Sequence, residues 1–220
     1  MTPAPATPLA SPSPWVQRFA PLAPPGAPVL DVACGSGRHM RWFAQLGHPV
    51  TGVDRDPHAL AAARAWGEAV EADIEGGPWP LPGRRFGAVV VTNYLWRPLL
   101  PVLLESVAPG GVLIYETFAA GNETVGKPAN PDFLLRPGEL LRACAAPGWR
   151  VVAYEDGFLM QPERFVQRSA AVRIPPSTPG AAKASRYPLG PDWSARHDPP
   201  PIPLGGTRML VSSAQTPRTS

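Results

Sequence analysis

The segment from Val29 to Asp54 constrains the fold more than any other. Val29-Leu30-Asp31-Val32 is an apolar strand carrying a carboxylate, and it runs into Ala33-Cys34-Gly35-Ser36-Gly37, a glycine turn. A helix opens near Arg38-His39, and Val50-Thr51-Gly52-Val53-Asp54 forms a second strand that ends in another carboxylate. Strand, turn, helix, strand is the first βαβ unit of a nucleotide-binding sheet. Glycine lets the backbone pass close to a ligand with no Cβ in the way. The first turn of the helix directs free N–H groups at whatever is bound there. Asp54 stands where an acidic side chain accepts the two hydroxyls of a ribose.

The rest of the chain continues the alternation. Asp56-Pro57 supplies an N-cap and a first-turn proline for a helix over residues 57–65. Residues 69–72 form a short strand, and residues 86–92 an unbroken apolar one, as expected of a centre strand buried on both faces. A helix over 98–107 leads through Pro109-Gly110-Gly111 into a strand over 112–116. A polar insertion fills residues 121–136, a helix follows over 138–146, and strands over 149–154 and 164–172 close the sheet. The fold class expected is α/β: a doubly wound, mostly parallel, seven-stranded Rossmann-like sheet with the last strand antiparallel.

Composition sets the boundaries. Of 32 prolines, nine precede Val29 and ten follow Ile174, which separates an arm (1–28), a central domain (29–174) and a tail (175–220) expected to be disordered. Within the arm, Ser13-Pro14 caps a short helix whose Trp15, Val16 and Phe19 share one face, suited to covering the core. A formal charge of +3 with no block of like charges gives little support to a nucleic-acid partner. The two cysteines, Cys34 and Cys144, form no Cys/His cluster, so no metal site is expected. No apolar run reaches the roughly 18 residues of a membrane span, and the amino terminus lacks the pattern of a secretion signal. A cytoplasmic protein with reduced thiols is the expectation.

The dinucleotide fingerprint G-x-G-x-x-G is incomplete here, because Met40 stands at its third glycine. Asp31 would also repel a pyrophosphate, whereas it would attract an ammonium group. The pattern D-x-x-C-G-x-G with the later strand-end Asp54 resembles motifs I and II of the class I S-adenosylmethionine-dependent methyltransferases. The resemblance runs from about residue 29 to 174. With Asn93-Tyr94-Leu95-Trp96-Arg97-Pro98 and the insertion, it is similar to bacterial methyltransferases grouped with the tellurite-resistance methyltransferases. It implies S-adenosylmethionine as cofactor, held by Asp31, Ala33, Gly35, Gly37, Asp54, Arg55, Asp73, Ile74 and Asn93. In this scheme Asp73 meets the adenine amino group and the Ile74 backbone meets the ring.

Methyl transfer from a sulfonium needs mainly in-line placement of the nucleophile, so no single catalytic residue follows from the pattern. Asn93 and Tyr94 after one strand, and Tyr115 and Glu116 at the end of the next, are the candidates, since such sheets bind at the carboxyl ends of their strands. Asn93-Tyr94-Leu95-Trp96 lacks the Asn/Asp-Pro-Pro-aromatic turn of the enzymes that methylate nucleobase or glutamine amino groups. A small-molecule acceptor is therefore expected. A methyltransferase of RNA or protein, or a non-catalytic module of the same fold, are the alternatives. The insertion, with Phe133-Leu134-Leu135 as its anchor, reads as a lid over the acceptor.

Overall fold

The computed structural model describes residues 10–176 and Tyr187; most of the tail expected over 175–220 lies outside them. Seven strands form one sheet in the order β3-β2-β1-β4-β5-β7-β6. These are β1 (Val29–Val32), β2 (Val50–Asp54), β3 (Glu68–Glu71), β4 (Phe86–Thr92), β5 (Val107–Phe118), β6 (Trp149–Met160) and β7 (Glu163–Arg173). The first five are mutually parallel, and β7 runs antiparallel to both β5 and β6. This is the doubly wound, mostly parallel sheet with an antiparallel last strand that the strand–helix alternation predicts.

The pattern of burial explains the order. All seven residues of β4 are buried, which suits a strand covered on both faces. On one face of the sheet, Leu30, Val89, Val91, Leu113, Tyr115 and Ala171 pack with Leu103 of α4 (Leu100–Ser106) and Leu140 of α5 (Glu139–Cys144). On the other face, Val29, Val90, Ile114 and Ala170 pack against three helices. Those are α1 (Pro14–Phe19), α2 (Arg38–Gln45) and α3 (Pro57–Ala63).

The boundary read at Val29 leaves α1 on its amino-terminal side, yet α1 belongs to the packed core. Ser13 caps it by accepting from the Trp15 N–H at 3.1 Å, and Pro14 occupies the first turn. Trp15, Val16 and Phe19 are all buried, and the Trp15 indole N–H donates to the Ser169 carbonyl at 3.3 Å. The helix therefore covers the β5–β7 part of the sheet.

Two strands run longer than the hydrophobic runs suggest. β5 begins at Val107, which pairs with Phe86 ahead of an irregularity in the ladder, and β6 continues through Met160 to complete a long hairpin with β7. β3 starts one residue earlier than expected.

In the insertion, Phe133 is 43% exposed, so the anchor falls on Leu134 and Leu135 instead. Leu135 bridges to Ala119, and the buried Asn122 ties the loop to β7 by accepting from the Phe165 N–H at 3.2 Å.

Trp15→Ala should cost about 3–5 kcal/mol of stability, the range for truncating a large buried aromatic. Urea unfolding followed by circular dichroism measures it. A loss below about 1 kcal/mol, the scale of surface substitutions, would show that α1 does not contribute to the core.

Candidate active site

The glycine turn is built around Asp54. Its Oδ2 accepts from the Gly35 N–H at 2.8 Å and its Oδ1 from the Asp56 N–H at 3.0 Å, which ties the end of β2 to the turn after β1. Gly37 takes φ 82° at the start of α2, and a Cβ there would lie 3.0 Å from the Ala63 backbone, so glycine is needed for conformation and space together. Gly52 resolves the missing third glycine. A Cβ on it would lie 2.3 Å from the Met40 sulfur and 2.7 Å from the Cys34 sulfur. The helix approaches the sheet closely because the strand beneath it, rather than the helix, gives up its side chain.

Next to this turn opens a cleft of about 200 Å³ lined by Ala33, Asp54, Arg55, Ala72, Asp73, Ile74, Glu75 and Tyr94. Five of the nine predicted binding residues line it: Ala33, Asp54, Arg55, Asp73 and Ile74. The volume is smaller than the ~300 Å³ or more of a pocket that takes a whole cofactor-sized ligand, so the cleft suits one part of such a molecule. Asp73 also has a local role. Its Oδ1 accepts from the N–H groups of Glu75 and Gly76, which holds its carboxyl below the usual carboxylate range. The Tyr94 phenol is pushed upward by burial and by the neighbouring carboxylates of Glu75 and Asp73, so it remains protonated.

Asp31, Asn93 and Glu116 stand toward the carboxyl ends of β1, β4 and β5. Asp31 is 1% exposed, and its Oδ2 has no hydrogen-bond partner. Burial pushes its carboxyl up to about 7, against the lowering effect of Arg38. His39 lies with Nδ1 3.9 Å from Asp31 Oδ1, but burial holds its pKa down to about 3, so the imidazole is neutral and the two form no ion pair. Its Nε2 accepts from the Ser13 backbone N–H at 3.1 Å. Asn93 has φ 54°, as does Ala33 at 53°; two non-glycine residues in the left-handed region thus flank the ends of adjacent strands.

Glu116 is a second buried carboxylate, at 1% exposure. Ser13 Oγ donates to it at 3.1 Å, and the guanidinium groups of Arg164 and Arg168 each approach it at 3.4 Å. Thr92, Glu116, Arg168 and Glu155 are register partners across β4, β5, β7 and β6, so they form one polar row across four strands. Arg38 closes one end on the Thr92 hydroxyl at 3.2 Å, and Arg18 closes the other on Glu155 at 3.4 Å. Ser13, Arg38, Arg164 and Arg168 were not among the sequence candidates. Their signal is the alternation of Arg164 and Arg168 with Val166 and Ala170 on one face of β7, legible only once the pairing with Glu116 is known.

Tyr115, a predicted catalytic candidate, lies on the opposite face. It is 1% exposed in the layer under α4 and α5, and its hydroxyl donates to the Tyr94 carbonyl at 2.9 Å. It positions the loop after β4 and does not join Asn93 and Glu116.

With this geometry in view, the relatives are informative. Residues 29–111 match the family model described as a methyltransferase domain. The match covers less than half of the chain, from β1 into β5. Among curated proteins, the ribosomal protein L11 methyltransferase of Burkholderia lata is 40% identical over 92 residues, 40% of this chain and 30% of that one. The chain thus matches less than a third of the length of this relative. Among solved structures, TehB from Haemophilus influenzae superposes with a TM-score of 0.58 at 19% identity, covering 72% of this chain and 61% of that one. The glycopeptide N-methyltransferase MtfA, complexed with S-adenosylhomocysteine, gives 0.53 at 21% identity, covering 74% and 90%. These two likenesses concern the fold of the methyltransferase domain. Among the described residues no helix is long and apolar enough to cross a membrane, and no cluster of three His, Cys, Asp or Glu side chains could hold a metal.

The raised pKa of Asp31 makes a testable pH signature. Its carboxyl ionises near 3.8 in an unfolded chain but at about 7 in the native state. Between those values the native state binds more protons, so this residue's contribution to stability falls as pH rises through the window. The stability of Asp31→Asn relative to the parent should therefore grow from about pH 4 to about pH 7 and then level off. Denaturant titrations across that range check it, and a flat difference would place the native ionisation near that of the unfolded chain.

Proposed function

We propose that this chain transfers the methyl group of S-adenosylmethionine to a small-molecule nucleophile. The observation that carries the reading is the buried, unpartnered Oδ2 of Asp31 beside the turn that Asp54 braces. An orphaned buried carboxylate oxygen suits an ammonium group, which would satisfy the oxygen and favour its ionised form. The amino group of a methionine moiety is such a partner. Arg38, whose guanidinium reaches the end of β4 at Thr92, is suited to the carboxylate of the same moiety. Asp54 is suited to the ribose, and the Asp73–Ile74 side of the cleft to the adenine. Ala33, Gly35 and Gly37 shape the backbone turn between them, and Arg55 forms part of the cleft wall. When bound, S-adenosylmethionine supplies an electrophilic methyl carried on a sulfonium.

What the chain contributes is placement. Asn93 and Tyr94 leave β4 between the cleft and the polar row, which is where an acceptor would approach. Glu116 is a poor candidate for a general base, because its oxygens are already engaged by two guanidinium groups and the Ser13 hydroxyl. Orientation and water exclusion, supported by α1 over the sheet, carry the rate in this reading. A protein acceptor is the second reading, favoured by the match to the L11 methyltransferases.

S-adenosylhomocysteine should bind far more tightly than NAD in calorimetry, because Met40 fills the third-glycine position and Asp31 opposes a pyrophosphate. Asp54→Ala should weaken S-adenosylhomocysteine about ten- to a hundred-fold, the range for losing a charge-assisted hydrogen bond of about 1.5–3 kcal/mol. An affinity equal to the parent's would remove the ribose assignment, and tighter binding of NAD would remove the cofactor.

A further inference from the structure

Resting on that reading, we propose that the methyl acceptor carries an anionic oxygen group, a carboxylate or a phosphate, and that Arg164 is the residue that recognises it. The argument begins with how unevenly the buried charges are satisfied. Glu116 faces two guanidinium groups, Arg164 and Arg168, each at 3.4 Å. Arg168 has further partners: an ion pair with Glu155, and the ring of Trp15, whose centroid lies 4.9 Å from its guanidinium carbon. It is fixed from both sides. Arg164 has neither.

Among the described residues, Arg164 reaches only Glu116 Oε1 and Asn93 Oδ1, both at 3.4 Å. Those distances lie beyond the ~2.7–3.2 Å of a well-made N–H···O bond. Its Nε, like that of Arg168, is buried and makes no hydrogen bond, and the side chain as a whole is only 19% exposed. A guanidinium has five donors in a planar fork. Here that fork is largely withdrawn from water and poorly used, a costly state unless something else completes it. Glu116 cannot complete it, since the same carboxylate also serves Arg168 and Ser13.

Location makes this a recognition group and not a surface ion pair. Asn93, to which Arg164 reaches, stands at the carboxyl end of β4 with φ 54°, where the acceptor has to meet the methyl donor. Of the neighbouring cations, Arg168 is held by Glu155 and Trp15, and Arg38 is committed by the cofactor reading to the methionine carboxylate. That leaves Arg164 for the second ligand. A carboxylate or phosphate matches the guanidinium fork in shape and charge. A neutral amide or ester offers fewer acceptor lone pairs and no charge. Glu116 is then a positioning residue, which holds the two arginines at their spacing without touching the acceptor.

Calorimetry on the full chain, first saturated with S-adenosylhomocysteine, separates the two levels of the proposal. Benzoate, phenyl phosphate and the neutral benzamide are titrated in turn. Benzoate or phenyl phosphate should bind measurably tighter than benzamide, and which anion binds better identifies the acceptor's group. In Arg164→Gln the preferred anion should lose about ten- to a hundred-fold in affinity, while S-adenosylhomocysteine binds as in the parent. Arg164→Lys keeps the charge but not the fork; it should fall between the two and serves as the test if the glutamine variant does not fold. If S-adenosylhomocysteine fails to bind the parent, the methyltransferase reading fails. If it binds, and neither anion exceeds benzamide or the arginine variants bind the anion as the parent does, the assignment of Arg164 is wrong.

Discussion

Glu116 sits on the sheet where a carboxylate is both buried and paired with two arginines. Taking a carboxylate out of water costs several kcal/mol unless donors replace the lost hydration. β5 cannot supply those donors, because its own backbone is occupied by the ladder to β4 and β7. They come instead from Arg164 and Arg168 on β7, and from Ser13, 103 residues away in sequence. The need to pair one carboxylate thus brings together the last strand, the central sheet and the amino-terminal helix. Ser13 adds a second tie by donating its backbone N–H to His39, which rests above Asp31. The amino-terminal segment is held over the carboxyl ends of β1 and β5 by polar contacts and over the sheet by Trp15, Val16 and Phe19.

A second constraint shapes the cofactor half. Close approach of a helix to a parallel sheet needs a missing side chain somewhere at the contact. In this chain the space is provided by Gly52 on β2, and Met40 of α2 occupies it together with Cys34. The exchange leaves a thioether and a thiol where a dinucleotide-binding turn has a bare backbone. It keeps the turn itself free to adopt the positive φ angles of Ala33, Gly35 and Gly37. Asp54 then fixes the turn through the Gly35 N–H. Each of its oxygens accepts one backbone bond, and a carboxylate has about four lone-pair sites, so bracing the turn and accepting ligand hydroxyls do not compete.

These features differ in how far the amino-acid sequence discloses them. The parallel strands were legible because burial on both faces writes them as unbroken apolar runs, and β4 is the clearest case. The glycine turn and Asp54 were legible because their spacing is local. Asp73 shows the limit of such reading, since a strand-end aspartate serves equally well as a turn cap, and its Oδ1 does cap residues 75 and 76. Tyr115 and Glu116 are neighbours in sequence, but alternation sends them to opposite faces, so only one joins the polar row. The arginines of β7 were not legible, because their meaning comes from an antiparallel register with a strand about fifty residues earlier. Phe133 departs from the expected anchor for a similar reason: the bridge between Ala119 and Leu135, not hydrophobicity, selects which residue turns inward.

The division between what is shared and what is particular falls along the chain itself. The methyltransferase-domain match ends at residue 111, before Glu116 and well before Arg164 and Arg168. It contains Asp31, the glycine turn, Asp54 and Asp73, the residues suited to the cofactor. In the proposed reading the acceptor meets Asn93 and Arg164, and Arg164 is held in place by Glu116 at the end of β5. A sheet of this kind can keep its donor site constant while the antiparallel hairpin and the flanking segments vary, because the two sets of residues meet only at the ends of β1 and β4. On the proposed assignment of Arg164, substrate selectivity is a property of the hairpin's register. A shift of one residue in β7 would turn Arg164 and Arg168 to the opposite face and leave Glu116 unpaired in the core. The same buried carboxylate that costs stability therefore also enforces the register that places the recognition group.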